Sequence, residues 1–358
     1  MPEARPAAAL APQWYGGGTP FVPVLHQPAL VLGHALELDV PAARLLQGCG
    51  LSEQDFADGA ARATPQQWLQ LLAQVQAEIG NPETPFAIGR QLLPGHFGAA
   101  SLALRDARSL RQAVSILCSH GAALSPLLAL RLVEEGDLAV LLWTDAVGLR
   151  SQRGFVVDMQ MAALVSMTQW LSGESLPWTF CFNRGAPRHL EQHEAHLGSA
   201  LRFGCHLDAM LLPRHWLDKP WPAAARPGAA AAQRSAERAA VLAALPERSL
   251  LDGLYGHLLE QVHAPPALEA AAAHLGFSPA TFKRRLAAEG THYQAELDRV
   301  RSHVALYLYQ FRGSGNDEVA RHLGFHDVPN FRRSFKRWTG VTPSGLRAGL
   351  WPPFTVTC

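Results

Sequence analysis

One six-residue phrase occurs twice in the last third of the chain. Ala272-Ala273-His274-Leu275-Gly276-Phe277 recurs 48 residues later as Ala320-Arg321-His322-Leu323-Gly324-Phe325. A helix start follows each copy. The first is Ser278-Pro279, an N-cap residue and then proline at the first helical position. The second is Asp327, with Pro329 just inside. The segments that follow read Thr281-Phe282-Lys283-Arg284-Arg285-Leu286 and Asn330-Phe331-Arg332-Arg333-Ser334-Phe335. In both, an aromatic residue precedes Leu or Phe by four positions, so that pair shares one helix face and the cations between project elsewhere. Each copy holds the parts of a helix-turn-helix. Ala272 and Ala320 let two helices cross closely, and Leu275 and Leu323 fill the crossing. Gly276 and Gly324 permit the left-handed backbone of a sharp turn, and a basic helix comes next. One such pattern is a weak signal; two in register are a strong one. Phe282, Leu286, Phe331, Phe335 and Trp338 then belong to the core and are not stacking platforms.

Between the copies, Leu297, Val300, Val304, Leu308 and Phe311 recur at helical spacing, which predicts one long helix over Tyr293–Phe311. At 1.5 Å per residue, roughly 20 residues span about 30 Å. One turn of duplex DNA is about 34 Å. A stiff connector of that length can hold two helices in successive major grooves. Charge agrees with an anionic partner: residues 278–350 carry twelve Lys/Arg and six Asp/Glu, a local balance of 12 − 6 = +6 in a chain whose net charge is +1.

Residues 247–350 resemble the DNA-binding domain of the AraC/XylS family of transcription regulators. The resemblance is most specific in Gly324-Phe325-His326-Asp327, Phe331, Phe335-Lys336-Arg337-Trp338 and Thr339-Gly340-Val341-Thr342-Pro343. The preceding part is similar, more sparsely, to the family's arabinose-binding type of effector domain, through Asn183-Arg184-Gly185-Ala186-Pro187 and Phe203-Gly204. The resemblance implies that Ala280, Lys283 and Arg284 face bases in the first unit, and Val328, Arg332 and Arg333 in the second, with Pro329 nearby. Arg can pair bidentately with guanine, and Ala or Val can touch a thymine methyl. Arg285, Lys336 and Arg337 are placed for phosphates, which fix register without reading sequence. Pro279-Ala280 and Val328-Pro329 supply no side-chain donor at either helix start, so part of the specificity falls to DNA shape. The resemblance further implies a small-molecule effector, a homodimer, double-stranded DNA as partner, RNA polymerase as a partner if the protein is an activator, and the cytoplasm as its place.

The expected fold class is an α+β effector and dimerisation domain over residues 21–222, followed by an all-α DNA-binding domain over 247–350 with two helix-turn-helix units joined by a long helix. Residues 1–20, rich in Ala, Pro and Gly, read as a disordered lead; 223–246 as a linker with an Ala-rich helix, Arg234–Leu245; and 351–358 as a tail. With 48% hydrophobic and 17% charged residues, both parts can bury a core. Helices are predicted over Ala63–Ile79, Ser109–Gly121 and Phe155–Leu171. A hairpin is predicted from Leu128–Val133 and Leu138–Trp143 around Glu134-Glu135-Gly136-Asp137, with further strands at Trp178–Phe182 and Leu201–Phe203. Few charges and apolar strands favour a hydrophobic or amphipathic effector over a phosphorylated one.

Other chemistries are weaker. If Arg188–Leu197 is helical, His189, His193 and His196 fall at i, i+4 and i+7 and could share a face for a metal, near Cys205 and His206. A polar surface helix in a chain with 16 histidines is the plainer alternative, and no cofactor is called for. Gly16-Gly17-Gly18 lacks a preceding strand and a following Lys-Ser/Thr, so it reads as spacer and not as a phosphate loop. An enzyme with an accessory DNA-binding domain is the other rival, but there is no Gly-x-Ser-x-Gly, and the reactive Pro-Cys-His-Arg context of DNA-alkylation repair proteins is missing. The five cysteines have no paired spacing and read as isolated thiols in a reducing compartment. The start of the chain has no basic residue run followed by an apolar core, so it is not read as a signal peptide, and no apolar stretch reaches the length of a membrane span.

Overall fold

The computed structural model of the chain describes residues 14–222 and 248–349. The expected linker with its helix Arg234–Leu245, the first 13 residues and the tail 351–358 lie outside the described residues. Among the described residues no helix is long and apolar enough to cross a membrane.

The N-terminal domain is α+β, as the sequence predicts. Two short strands, β1 (Trp14–Tyr15) and β2 (Val22–Pro23), precede a set of helices, and β2 pairs with β3 (Arg62–Ala63). A five-stranded sheet follows, made of β4 (Leu128–Glu135), β5 (Leu138–Asp145), β6 (Thr179–Phe182), β7 (Leu201–Phe203) and β8 (Asp208–Pro213). Its strand order is β4-β5-β8-β6-β7, antiparallel except for the β6–β7 pair. The hairpin is tighter than predicted. Glu134 and Glu135 stay in the strand opposite Ala139 and Leu138, and Gly136, at φ +55°, makes the turn with Asp137.

The predicted helices form with small shifts of end. Thr64 closes a capping box with Gln67 at the start of Pro65–Ile79, Ser109 caps Leu110–Ser119, and the third helix runs Arg153–Ser172. That last helix is buried on nearly every side, as an apolar helix without a polar stripe must be. It lies backbone to backbone against the helix Thr84–Leu92. A Cβ on Gly89 would stand 2.3 Å from the carbonyl oxygen of Met159, so only glycine fits that crossing.

The sheet buries both faces. Ala139, Leu141 and Trp143 of β5, Phe180 and Phe182 of β6, and Met210 and Leu212 of β8 point into the N-terminal core. The residues between them, Val140, Cys181, Ala209 and Leu211, form a separate apolar cluster on the opposite face. Such strands read as continuous apolar runs, and β8, with four apolar residues between Asp208 and Pro213, gave no alternation by which to predict it.

The C-terminal region is all helix after β9 (Arg248–Ser249): Leu250–Glu260, Leu268–His274, Pro279–Ala288, Tyr293–Phe311, Asn316–His322, Val328–Thr339 and Pro343–Gly349. Both copies of the repeat build the same turn. Phe277 N–H donates to Ala272 C=O at 2.8 Å and Gly276 N–H to Ala273 C=O at 3.0 Å; Phe325 and Gly324 do likewise to Ala320 and Arg321 at 2.9 and 3.1 Å. This paired pattern satisfies the carbonyls orphaned at a helix end and requires a left-handed residue. Gly276 and Gly324 supply it at φ +81° and +73°. Ser278 and Asp327 then cap the next helices by accepting from Thr281 N–H and Asn330 N–H.

The expected disordered lead is corrected from Trp14 onward: this segment fastens the two parts together. β1 pairs in parallel with β9, and its two side chains go to opposite faces. Tyr15 is buried in the N-terminal core with its hydroxyl donating to Pro126 C=O, whereas Trp14 packs on the helical core and donates its indole N–H to Leu275 C=O in the first turn, at 2.9 Å. Gly253 makes room for the indole, since a Cβ there would lie 2.3 Å from it. The Gly16–Gly18 stretch is also more than spacer, because Gly17 N–H donates to Glu289 at 2.8 Å. Arg131 pairs with Asp252 and lies over the Tyr255 ring, and Glu135 accepts from the Tyr307 hydroxyl and pairs with Arg312.

Two expectations follow. Gly276→Ala meets open space and bears only the left-handed backbone cost, roughly 1–2 kcal/mol. Gly324→Ala places a Cβ 2.0 Å from His263 C=O as well, and the combined cost is about 2–5 kcal/mol; urea unfolding of the full chain should rank the two in that order. Burial lifts the Glu289 carboxyl to about 7. A folded-state value above the unfolded one of about 4.3 means that folding takes up a proton between them, so the docked fold loses stability as pH rises from about 4.3 to 7. Glu289→Gln should flatten that dependence relative to the parent, read as the difference in urea midpoint between pH 5 and pH 8.

Candidate nucleic-acid interface

The two recognition helices are amphipathic in the same sense. Phe282 and Leu286 anchor Pro279–Ala288, and Phe331 and Phe335 anchor Val328–Thr339; all four are buried. Around Phe331 and Phe335 the rings of Phe325, Tyr309 and Trp338 pack at centroid distances of 5.6–6.5 Å, so the aromatics are core, as expected. The opposite faces point to solvent. Ala280, Lys283 and Arg284 stand at i, i+3 and i+4 and are exposed together. Val328, Arg332 and Lys336 form a stripe at i, i+4 and i+8 on the second helix, with Pro329 and Arg333 beside it. Val328 is half-buried and the others are exposed. The N-terminal domain covers none of these cations.

The cations differ in how they are held. Lys283, Arg284, Arg332 and Lys336 make no hydrogen bond, ion pair or ring contact with the described residues. Arg333 donates to the Asn330 side chain, which Asp327 holds in turn. Arg285 lies 4.7 Å above the Phe277 ring. Arg337 is paired with Asp298 of the long helix at 2.9 Å, which ties the second recognition helix to the connector. The connector itself is the helix Tyr293–Phe311, with the predicted bounds; its 19 residues span about 28 Å at 1.5 Å each.

The histidine cluster does not assemble as a metal site. His189 lies before the helix Leu190–Leu197, exposed beside Glu191. His193 is buried edge-on to Phe86 near Asp158 and Arg184, and His196 stacks flat on the same ring. The helix starts at Leu190, which leaves His189 outside it, and aromatic packing claims the two that remain. Among the described residues no group of three or more His, Cys, Asp or Glu side chains is placed to hold a metal ion. The thiols are not all isolated either: Cys181 and Cys205 line one cavity, where a hydrogen bond with Cys205 and burial raise the Cys181 thiol well above the usual range. Their distance in sequence hid this pair, and the docking of Trp14 and Gly17 likewise left no local mark.

Residues 40–221 match the family model described as the arabinose-binding domain of AraC transcription regulators, N-terminal, and residues 271–349 match a helix-turn-helix domain model. The chain is 30% identical over 285 residues to the ornithine utilization regulator of Pseudomonas aeruginosa, covering 78% of this chain and 82% of that one. It is 27% identical over 339 residues to an uncharacterized HTH-type transcriptional regulator of Mycobacterium tuberculosis, covering 87% and 92%. The crystal structure of the transcriptional regulator CdpR from Pseudomonas aeruginosa aligns with 90% of this chain and 98% of its own, at 19% identity and a TM-score of 0.41. With two family models spanning its N-terminal domain and its double helix-turn-helix, the chain belongs to the AraC family of DNA-binding transcription regulators.

Proposed function

We propose that residues 247–350 read promoter DNA through Ala280, Lys283, Arg284, Val328, Arg332 and Arg333, and that residues 21–222 hold the small-molecule effector that controls this reading. The observation that carries the proposal is a set of four exposed cations without partners among the described residues, Lys283, Arg284, Arg332 and Lys336, on two recognition helices joined by one rigid helix. A cation already paired inside the protein contributes less to a phosphate contact than a free one. Lys336 is therefore the main phosphate contact of the second helix, Arg285 serves the first, and Arg337 chiefly positions its helix through Asp298. Arg333, held by Asn330, presents a guanidinium of fixed orientation, which suits bidentate pairing with guanine. Family membership supports extending this reading to a cytoplasmic homodimer without enzymatic activity that meets RNA polymerase where it activates.

A site selected from random duplex DNA by the full-length protein allows the test. Arg332→Ala and Arg284→Ala should each weaken that site by about 1–3 kcal/mol while changing affinity for scrambled DNA little. Unchanged affinity for the selected site would remove these residues from base reading. Lys336→Ala should weaken selected and scrambled DNA alike and lower the slope of log affinity against log salt by about one.

A further inference from the structure

The outer face of the five-stranded sheet is apolar where an open sheet face would be polar. Val133, Val140, Ala209 and Leu211 project there, away from the N-terminal core. The last turns of the long helix cover this face with Leu306, Tyr307 and Phe311, and Glu135 at the sheet edge holds Tyr307 and Arg312 from that helix. The two surfaces do not close on one another. They leave a cavity of about 260 Å³, rimmed by Val341 and Leu346. An apolar cavity of about 150 Å³ stays dry and takes up benzene, so this one has room for a substituted ring or a short acyl chain.

Its polar groups are few and uncharged. Among the described residues no Asp, Glu, Lys or Arg lines it. His303 is held neutral, because burial and nearby arginines lower it to about 3, and its Nδ1 is already bonded to the Tyr255 hydroxyl at 3.0 Å. Burial also lowers His206. A charged ligand would lose its water there without gaining a counter-charge. The Cys205 thiol already donates to Arg202 C=O at 3.3 Å, whereas His206 and Gln310 leave hydrogen-bonding capacity for one neutral polar group.

We propose that this cavity between sheet and connector helix is the effector site, and that its ligand is a neutral, largely apolar molecule with a single hydrogen-bonding group. The proposal rests on the reading of the chain as an effector-controlled regulator and names where control is applied. A molecule seated there touches the sensor sheet on one side and, on the other, the helix that carries both recognition units. It therefore binds one arrangement of the two better than others, and that difference is the requirement for coupling.

The test uses the full-length protein with 4-phenylbutan-1-ol as probe and 4-phenylbutanoate as its charged counterpart. Isothermal titration should show saturable binding of the alcohol, at least tenfold tighter than the acid at pH 7.5. At saturation the alcohol should slow alkylation of Cys205 by N-ethylmaleimide at least fivefold, mapped by peptide mass spectrometry, and leave Cys118 unaffected. It should also shift affinity for the selected DNA site at least threefold. Ala209→Phe and, from the opposite wall, Leu346→Trp should fill the space and lose alcohol binding while keeping wild-type affinity for DNA without probe. Absence of saturable binding, equal binding of the acid, or unprotected Cys205 overturns the site; a bound probe that leaves DNA affinity unchanged overturns its control of DNA. Failure to select any DNA sequence would instead strike the regulator reading, and the titration and the Cys205 protection would still decide the cavity.

Discussion

A helix of 19 residues cannot bend sharply without giving up backbone hydrogen bonds, and much of this molecule is arranged around that stiffness. Tyr293–Phe311 fixes the distance between two helix-turn-helix units. Its middle is buried through Leu297, Val300, Val304, Leu308 and Tyr309 in the helical core, and its last turns face the sheet of the other domain. One element thereby spaces the DNA-reading helices and forms a wall of the interface with the sensor.

The parts legible in the sequence are those governed by neighbours within a few positions. The two turns were readable because a left-handed glycine, a leucine in the crossing and an N-cap must follow one another in order, and Gly276 and Gly324 took the expected backbone. The connector was readable to its end residues because its apolar positions keep helical spacing throughout, from Leu297 to Leu308 on the helical core and on to Phe311 against the sheet. Thr64 and Ser109 marked helix starts by their own side-chain bonds to Gln67 and Gln112. The outward placement of Lys283, Arg284, Arg332 and Arg333 followed from the burial of Phe282 and Phe331 among them.

What stayed hidden depends on partners far along the chain. β8 is buried on both faces because a helix some hundred residues later covers the outer one, and the sequence alternation that marks a half-exposed strand is lost. His193 and His196 looked like ligands by spacing, yet their rings answer to Phe86, about a hundred positions earlier. The candidate DNA face was thus written locally, whereas the cavity and the contact between the domains were written in pairs of residues that only the complete fold brings together.

The strand of Trp14 and Tyr15 carries a consequence for how the molecule is made. Tyr15 can enter its core once the first domain is synthesised, but Trp14 waits for Leu275, 261 residues later, and Gly17 for Glu289, 272 residues later. Closing so wide a loop in a single step would be slow, because its entropy has to be lost before any contact forms. Tyr15 removes most of that search by holding its neighbour at the surface of an already folded domain. As the last helices leave the ribosome, they meet a prepared template, and the strand of Trp14 and Tyr15 becomes the place where assembly is completed.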